Sequence, residues 1–509
     1  MKTFQSFVVV LLTAVLLASC GGEKEGTVSQ EVKKDSLTIA VLADPATFDL
    51  FVATSMLEGQ IGNNIYDNLL FFDDQGNIKP YLAERHEVSN DGLEYTFWLR
   101  KGVKFHNGEE LKADDVAFSI EYGKDTPLGQ DTCSIIGKVE VIDDYTIKLF
   151  LSEPYASFMS ELCGDQFPIY NRKALTEATA GGQAYGANPV GTGSYKFVSR
   201  EAGVEVKFEA FQDHFQGPAP IRYLTYRIIP DDFTAGVALQ TGEVDFIWTI
   251  GAATATSLGE DSNLTVTQDP SNRVNFITMN TEKPPFNNVK LRQAVNYAID
   301  RDAVRDIVYE GNSTNKDHMA FPWMAGYAEP AVKYNYDPAK AVALAMEVGV
   351  SKDKPVTVSY IYTASSQKVG EAIQPYLAEI GINLTLDVME YNSWATDYYG
   401  GNFQLSGSGY YMVYKDLQLV GWFYTSSNIG WTNGARYRNA AADALFEQGK
   451  KEIDPARRSI IYKQALDIIQ QDAPYAVYAN PSTIRAYNKN LNIAYSYANG
   501  IFIRDISWN

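Results

Sequence analysis

The segment over residues 372–388 constrains the fold most strongly, because its apolar pattern switches from a helical to an extended period at one glycine, Gly381. Before that glycine the apolar residues recur at helical spacing, and after it every second residue is apolar. A helix followed directly by a strand is a repeating unit of α/β sheets. The segment therefore predicts an α/β fold. Pro375 lies within the predicted helix, so it must kink the helix or delay its start.

Other patterned segments extend this prediction along the chain, whose 509 residues suggest about three domains at ~150 residues each. Alternating or apolar runs predict strands at residues 37–41, 93–99, 145–151, 204–208, 223–229 and 274–279. Helical spacing predicts helices at residues 113–122, 233–239, 288–299, 300–311 and 457–471. Asn287 or Asn288 is the predicted N-cap of the helix over residues 288–299. In the last helix, the predicted apolar stripe is Ile460, Ile461, Ala465, Ile468 and Ile469.

The first twenty residues are typical of a targeting segment. Lys2 precedes an apolar run over residues 7–17 that is too short for a membrane span of ~20 residues. The sequence Leu-Ala-Ser-Cys that ends at Cys20 resembles the lipobox of bacterial lipoproteins, in which the cysteine carries the acyl chains. We therefore expect residues 1–19 to be a lipoprotein signal peptide, Cys20 to be lipidated and residues 20–36 to be a flexible tether. An ordinary signal peptide with an accidental cysteine is the alternative.

Charge and cysteine content restrict the partners. The formal net charge of −19 disfavours nucleic acid, because phosphate recognition relies on Lys/Arg patches. Cys133 and Cys163 can form a disulfide in an exported protein, which would stabilise the fold by ~3–4 kcal/mol. The alternative is two separate buried thiols. Neither cysteine has the Cys-x-x-Cys spacing of a metal site, and we predict no metal.

No catalytic motif stands out. The sequence has neither a P-loop nor a Gly-x-Ser-x-Gly, and its four histidines are far apart, without His-Glu-x-x-His spacing. His106 is interpreted as a turn histidine outside the binding cleft. Asp114 and Asp115 are explained by the N-terminus of a helix, which favours negative charge. We therefore expect no enzyme and no cofactor; the remaining enzymatic hypothesis is a lipid-anchored glycosidase using two acids.

Four separated stretches resemble the extracellular solute-binding proteins of family 5, the peptide- and nickel-type receptors of ABC importers. The order and spacing of the stretches match those of the family. They are YTFWLRKGVKFHNG at 95–108 with KADDV at 112–116, NPVGTGSY at 188–195, NT at 280–281 with PPF at 284–286 and LRQAVNYAID at 291–300, and DPARR at 454–458 with Tyr462, Ala465 and DAP at 472–474.

The resemblance implies an α/β, two-lobed clamshell of the periplasmic-binding-protein type (type II, cluster C) with an extra subdomain inserted in the first lobe. The implied boundaries are residues 37–270 for lobe I, with the insertion at about 76–185, 271–478 for lobe II, and 479–509 for a return to lobe I. The implied function is to capture a solute outside the cytoplasmic membrane, in the periplasm or on the extracellular face, and to deliver it to an ABC permease and ATPase complex. We expect a monomer whose lobes close on the ligand.

The resemblance also suggests binding residues. In peptide-binding members, an acid after a Gly-Trp run holds the peptide α-ammonium, and in this sequence Asp416 occupies the acidic position of GYYMVYKDL at 409–417. Leu417 replaces the usual proline and Tyr410 the usual tryptophan. Tyr410 and Tyr411 could stack on the ligand or pack in the core. Lys368 is the nearest match to the basic residue that holds the ligand carboxylate in dipeptide binders.

Three kinds of ligand fit this resemblance. A short peptide is expected first, an oligosaccharide or another small solute second, and a nickel complex or other small cation third. A sensory or adhesive role without transport is a further alternative.

Overall fold

The computed structural model describes residues 34–509, except residues 54, 74–75, 183, 414, 494 and 497–499. Residues 35–509 form one compact unit. The predicted signal peptide, Cys20 and most of the tether lie outside the described residues.

The strands begin at Ser36 and continue to Trp508. In chain order they are β1 Ser36–Val41, β2 Leu70–Phe72, β3 Ile78–Pro80, β4 Ala83–Val88, β5 Glu94–Leu99, β6 Ile136–Asp143, β7 Thr146–Leu151, β8 Tyr195–Glu201, β9 Glu205–Ala210, β10 Tyr223–Ile228, β11 Phe246–Ile247, β12 Leu264–Asp269, β13 Arg273–Met279, β14 Ser313–Thr314, β15 Val356–Thr363, β16 Ile382–Met389, β17 Leu405–Tyr411, β18 Tyr475–Pro481, β19 Thr483–Asn488, β20 Leu491–Asn492, β21 Tyr495–Ser496, β22 Gly500–Ile501 and β23 Ser507–Trp508.

The α-helices lie between these strands. In chain order they are α1 Met56–Gly62, α2 Ala113–Lys124, α3 Gly129–Cys133, α4 Phe158–Glu161, α5 Arg172–Ala180, α6 Asp232–Gln240, α7 Ala252–Leu258, α8 Val289–Ala298, α9 Arg301–Tyr309, α10 Pro338–Glu347, α11 Gln367–Glu379, α12 Tyr391–Gly400, α13 Gln418–Trp422, α14 Ala440–Lys451 and α15 Pro455–Asp472.

Two large sheets organise the molecule into two lobes. The seven-stranded sheet of lobe I has the order β12-β19-β11-β1-β10-β9-β8, and the six-stranded sheet of lobe II has the order β14-β18-β13-β17-β15-β16. A third sheet, β4-β5-β7-β6, falls within the predicted insertion. Apolar clusters cover both faces of each large sheet, as expected for a layered α/β protein.

The chain passes between the two large sheets at two neighbouring places. One connection runs from β12 to β13, and the other from β18 to β19. Asn480 ties them together, because its side-chain amide donates to the carbonyls of Ser271 at 2.9 Å and Arg273 at 2.7 Å. Paired connections of this kind are where a clamshell bends. The exact lobe boundaries predicted from the sequence stay predictions, and β18 continues to Pro481.

The helix-then-strand unit that predicted the fold class is present. Helix α11 connects β15 to β16, which pair in parallel from Val356 opposite Ile382 to Thr363 opposite Met389. Parallel neighbours require such a crossover. Of the two alternatives for Pro375, a kink or a late start of the helix, the late start is wrong, because α11 begins at Gln367 and contains the proline.

Local polar groups set the ends of the other predicted helices. Asn288, rather than Asn287, caps α8 by accepting from the backbone N–H of Lys290 at 2.9 Å. Asp115 lies in the first turn of α2, and its carboxylate accepts from the backbone N–H of Lys112 at 3.0 Å. The apolar stripe predicted for α15 is wrong at Ile460, whose side chain is 60% exposed. The buried face of α15 contains Ile461, Tyr462, Ala465, Leu466 and Ile469.

Candidate functional site

A cleft of about 710 Å³ lies between the two lobes. Its size falls within the range typical of small-molecule sites. Residues of both lobes line it, among them Val41, Leu42, Met56, Gln60, Asn63, Tyr66, Asp67, Phe72, Tyr81, Asp165, Trp248, Thr249, Ser271, Asn272, Trp323, Tyr411, Met412, Lys415, Thr483, Arg485, Tyr495, Arg504 and Asp505.

The lobe I wall follows from the strand order. Strand β1 pairs in parallel with both β10 and β11, so that the carboxyl ends of these strands lie at one edge of the sheet. Val41 ends β1, and Trp248 follows β11 directly; both line the cleft. Ligands of open α/β sheets bind outside the carboxyl ends of such strands.

The lobe II wall is formed at the end of β17 and at the connections between lobes. Tyr411 is the last residue of β17 and lines the cleft. The guanidinium of Arg273 lies 4.9 Å from the centroid of the Tyr411 ring. The Lys415 ammonium lies 4.0 Å from the ring centroid of Phe72, which belongs to lobe I. Burial lowers the pKa of Lys415 to about 8. These contacts bring the two walls together and leave aromatic surface facing the cleft.

Arg485 is the most buried arginine among the residues of the cleft wall. It lies in β19, is 7% exposed and donates from Nη1 to the carboxylate of Asp269 in β12. Its Nε has no acceptor in the described part of the chain. The rings of Trp248 and Tyr495 flank the guanidinium, with centroids 5.7 Å and 5.9 Å from Cζ. The cleft therefore contains a buried cation whose hydrogen-bonding capacity is only partly used.

Asp165 is the acidic counterpart on the lobe I side. Its half-buried carboxylate accepts from the side-chain amide of Gln166, and it forms no ion pair with any lysine, arginine or histidine that the structure describes. Burial raises the pKa of Asp165 from 3.8 to about 6. Its Oδ2 lies close to the backbone of α1, where a Cβ on Gly59 would approach it to 2.1 Å. The cleft thus holds a poorly solvated carboxylate that has no cationic partner in the part of the chain that the structure describes.

The other charged groups of the lobe I wall have partners within the protein. Asp67 accepts from the hydroxyl of Thr192 at 2.9 Å and lies 3.4 Å from Nε2 of His214. Arg504 donates from Nη1 to the hydroxyl of Tyr81 at 2.6 Å and pairs with Asp505 at 3.3 Å. These groups contribute polarity to the wall: Arg504 has an ionic partner in Asp505, and the carboxylate of Asp67 is hydrogen-bonded by Thr192.

The four residues predicted for ligand binding do not form one cluster. Tyr411 lines the cleft, whereas the ring of Tyr410 packs 5.0 Å from that of Phe423 in the core. Lys368 is an exposed residue of α11 outside the cleft lining.

Asp416 is also outside the cleft lining. It is 2% exposed, and its two carboxylate oxygens accept from Nη1 and Nη2 of Arg458, each at 2.6 Å. Arg458 also donates to the hydroxyl of Ser157 at 3.1 Å, across the two lobes. A bidentate buried pair of this kind satisfies the carboxylate within the chain. The role of Asp416 as a ligand residue stays a prediction.

Sequence reasoning missed Asp165 and Arg485. No motif surrounds Asp165, which follows the cysteine and glycine at 163–164. The one available signal for Arg485 was a charged residue between Ile484 and Ala486 in a run that reads as a strand. Charged residues within such a run are nearly always paired or functional.

The remaining sequence predictions concern cysteine and histidine. Cys133 and Cys163 are free thiols in the structure, so the considered disulfide is not formed. Burial raises the pKa of each thiol to about 12, which favours the protonated form at neutral pH. His106 donates from Nε2 to the carbonyl oxygen of Gly193 at 2.9 Å and is outside the cleft lining. Burial lowers its pKa to about 4.

Two searches of the described residues gave negative results. Residues 34–509, with the gaps given above, contain no group of three or more His, Cys, Asp or Glu placed to hold a metal ion. In the same part of the chain, no helix has the length and apolarity needed to cross a bilayer.

Comparison with known proteins identifies the family. The model described as bacterial extracellular solute-binding proteins, family 5 middle, matches residues 77–431. The chain belongs to the family 5 extracellular solute-binding proteins. The glutathione-binding protein GsiB of Escherichia coli K12 is 29% identical over 500 residues, covering 94% of each chain. GsiB of Salmonella paratyphi A is 30% identical over 475 residues, covering 89% of this chain and 91% of the relative.

Solved structures of the family have the same fold. The periplasmic binding protein DppA of Helicobacter pylori, in complex with the peptide STSA, superposes with a TM-score of 0.80 at 27% identity, covering 94% of this chain and 98% of DppA. The substrate-binding protein CtaP of Listeria monocytogenes gives a TM-score of 0.85 at 25% identity, covering 94% of this chain and 99% of CtaP. The predicted fold class and family are confirmed. As an extracellular solute-binding protein, the chain is the binding component of an ABC importer and works outside the cytoplasmic membrane.

Proposed function

We propose that this solute-binding protein captures a short peptide or peptide-like solute in the cleft between its lobes. The observation that carries the proposal is that one cleft contains Asp165, a carboxylate with no cationic partner among the described residues, and Arg485, an incompletely bonded guanidinium. A peptide is zwitterionic, so its ammonium can pair with Asp165 and its carboxylate can accept hydrogen bonds from the open edge of Arg485. The names of relatives support this class of ligand, since they include a glutathione-binding protein and a structure with a bound tetrapeptide.

We assign the ligand ammonium to Asp165 rather than to Asp416. The carboxylate of Asp416 has two charge-assisted hydrogen bonds at 2.6 Å from Arg458, and an ammonium would have to displace them. Asp165 has a pKa raised to about 6 by burial, so a ligand cation at this position would relieve an existing cost. Tyr411 lies on the opposite wall and can stack on a ligand side chain.

Closure of the lobes would enclose the peptide and present the closed form to the permease and its ATPase. Enclosure strengthens each polar contact, because burial removes competing water, and it penalises a ligand that leaves a charge unpaired. The protein contributes binding without chemistry of its own. Cys20 would carry the lipid that holds the monomer at the outer face of the cytoplasmic membrane or in the periplasm, with residues 20–36 as the tether.

The proposal is tested by identifying the ligand directly. Native mass spectrometry of the gently purified protein should detect a co-purifying peptide-like mass. Isothermal titration calorimetry should then give saturable binding for at least one of glutathione, Met-Leu and Ser-Thr-Ser-Ala, with maltotriose as a neutral control. Binding of maltotriose together with the absence of binding for all three peptides would refute the peptide assignment.

A further inference from the structure

We propose that Arg485 binds a carboxylate of the solute through the Nε–Nη2 edge of its guanidinium. The inference rests on the proposed peptide-binding function and deepens it, because it requires the ligand to present a planar anionic group. The same residue would determine which peptides or peptide derivatives the cleft accepts.

The hydrogen bonds of Arg485 leave one edge of the guanidinium available. Nη1 donates to Oδ2 of Asp269, and Nε is buried without an acceptor in the described part of the chain. Nη2 makes no hydrogen bond to any residue of that part either. The N–H groups of Nε and Nη2 point in parallel, which is the side-on geometry that a carboxylate accepts through both oxygens.

Two other buried arginines, Arg458 and Arg301, lie outside the cleft and allow a comparison of the hydrogen bonds that buried guanidinium groups make in this protein. In Arg458, Nε, Nη1 and Nη2 all donate, to the carbonyl of Gly449 and to Asp416 among others. In Arg301, all three nitrogens also donate, to backbone carbonyls and to the side chain of Asn296. Arg485 is buried to a similar degree, with 7% exposure against 4% for Arg458 and 7% for Arg301. The difference lies in what each guanidinium is bonded to.

Leaving a buried donor unsatisfied is costly, so the open edge needs an explanation. Arg485 is in the cleft wall, whereas Arg458 and Arg301 are not. Asp269 holds the guanidinium from the side of Nη1 and itself accepts from the hydroxyl of Thr267 at 3.3 Å. The rings of Trp248 and Tyr495 limit access of water around the group. The arrangement pre-organises the edge for an anion that arrives with the solute.

The chemistry of the cleft favours a carboxylate in this position. A carboxylate matches the spacing of the two N–H groups and replaces the missing acceptors with charge-assisted bonds. In a peptide, that carboxylate can be the C-terminus or an Asp or Glu side chain. The uncompensated charge of Asp165 elsewhere in the cleft repels a ligand that binds in the reverse orientation.

The deciding experiment changes the ligand and leaves the protein intact. Wild-type protein is incubated with an equimolar tripeptide library, prepared once with free C-termini and once as C-terminal amides, and bound masses are read by native mass spectrometry. We expect free-acid peptides to be retained about 30-fold or more over their amides. Retention of amides only when they contain Asp or Glu would identify the side chain as the source of the carboxylate. Equal retention of neutral amides and acids would overturn the inference.

Variants provide a second, independent measurement on the retained peptides. Arg485→Gln should weaken their binding by about 30-fold or more, and Arg485→Lys should restore part of it, because a lysine keeps the charge without the bidentate edge. Arg222→Gln serves as the matched control, since Arg222 is exposed and pairs with Glu209 on the lobe I surface. Circular dichroism and thermal unfolding check that each variant is folded. Wild-type affinity in a folded Arg485→Gln variant would overturn the inference.

The outcomes distinguish this inference from the proposed function. If the wild type retains peptides but ignores the state of their carboxylates, the peptide function stands and the role of Arg485 is wrong. If the wild type retains no peptide from either library, both are wrong.

Discussion

Replacing Asp165 by asparagine should stabilise the ligand-free protein and weaken its binding of peptide. The substitution keeps the shape of the side chain and removes its charge. Burial raises the pKa of Asp165 from 3.8 to about 6, so the ionised form is disfavoured in the folded protein. At 1.36 kcal/mol for each tenfold change in the protonation equilibrium, this cost is about 3 kcal/mol at most at pH 7.5. Because the side chain is half-buried, we expect a gain of about 1–3 kcal/mol in the free energy of unfolding.

The sign of the pH dependence follows from the raised pKa. Between about pH 4 and pH 6 the folded protein binds a proton at Asp165 that the unfolded chain has lost, so the wild type loses stability from this group as the pH rises through that range. Above pH 6 the full cost is present, and below pH 4 it vanishes. The advantage of Asp165→Asn should therefore be largest at pH 7.5 and absent near pH 3.5.

Urea unfolding at the two pH values and calorimetric titration with a retained peptide are the assays. Peptide affinity should fall about 30-fold or more in the variant, because the ligand ammonium loses a buried partner. In the wild type, affinity should decline as the pH falls through about 6, where Asp165 becomes protonated. Asp213→Asn is the control, since Asp213 is exposed and pairs with Lys104 at 2.9 Å. An equal stability gain at both pH values, or unchanged peptide affinity, would refute the reasoning.

Three further predictions address the surroundings of the cleft. Asp416→Ala should lower the free energy of unfolding by about 3–5 kcal/mol in urea titrations, because Arg458 would keep an unpaired buried charge; a large loss of peptide affinity in the folded variant would return the ammonium site to Asp416. Gly59→Ala should displace the Asp165 carboxylate, which a Cβ would meet at 2.1 Å, and lower peptide affinity in calorimetry without abolishing folding; unchanged affinity would contradict this. Glu153→Gln removes the two 2.7 Å ion pairs that join Glu153 of lobe I to Lys450 and Lys451 of lobe II. The lobes should then open more readily, so the radius of gyration in X-ray scattering should increase, most clearly at low salt. Identical scattering curves would show that these ion pairs do not contribute to closure.

The sequence predicted the elements well where their periodicity reflects burial. The strand predicted at residues 93–99 and the helix predicted at residues 113–122 are present as β5 and α2. Both were predictable because the spacing of apolar residues reflects which side chains face a core. The errors have the same origin. Ile460 matched the apolar spacing of α15 and is nevertheless 60% exposed, while Arg458 and Tyr462 take the buried face through their network with Asp416. An apolar pattern does not reveal a polar network that replaces part of it.

The binding residues were harder to predict because their significance depends on partners distant in the chain. Asp416 looked available in a loop, but Arg458, 42 residues later, bonds both of its oxygens. Asp165 looked ordinary, and its distinction is that no described cation pairs with it. Arg485 is bonded at Nη1 to Asp269, 216 residues earlier, and left open elsewhere. The sequence shows which residues are charged, but not which of them the fold pairs with an opposite charge.

The contrast among these charges explains how one fold can be both rigid and selective. A buried pair such as Asp416 and Arg458 contributes little net stability against an apolar equivalent, yet it fixes its two elements because breaking it is expensive. Asp165 and Arg485 are buried without all the partners they can bind, and this costs free energy in the ligand-free protein. A ligand that supplies the missing partners gains that free energy on binding. A solute that completes both groups recovers that cost, and one that completes neither must leave them desolvated when the lobes close. Selectivity then follows from which charged groups of the cleft the chain leaves with unused bonding capacity.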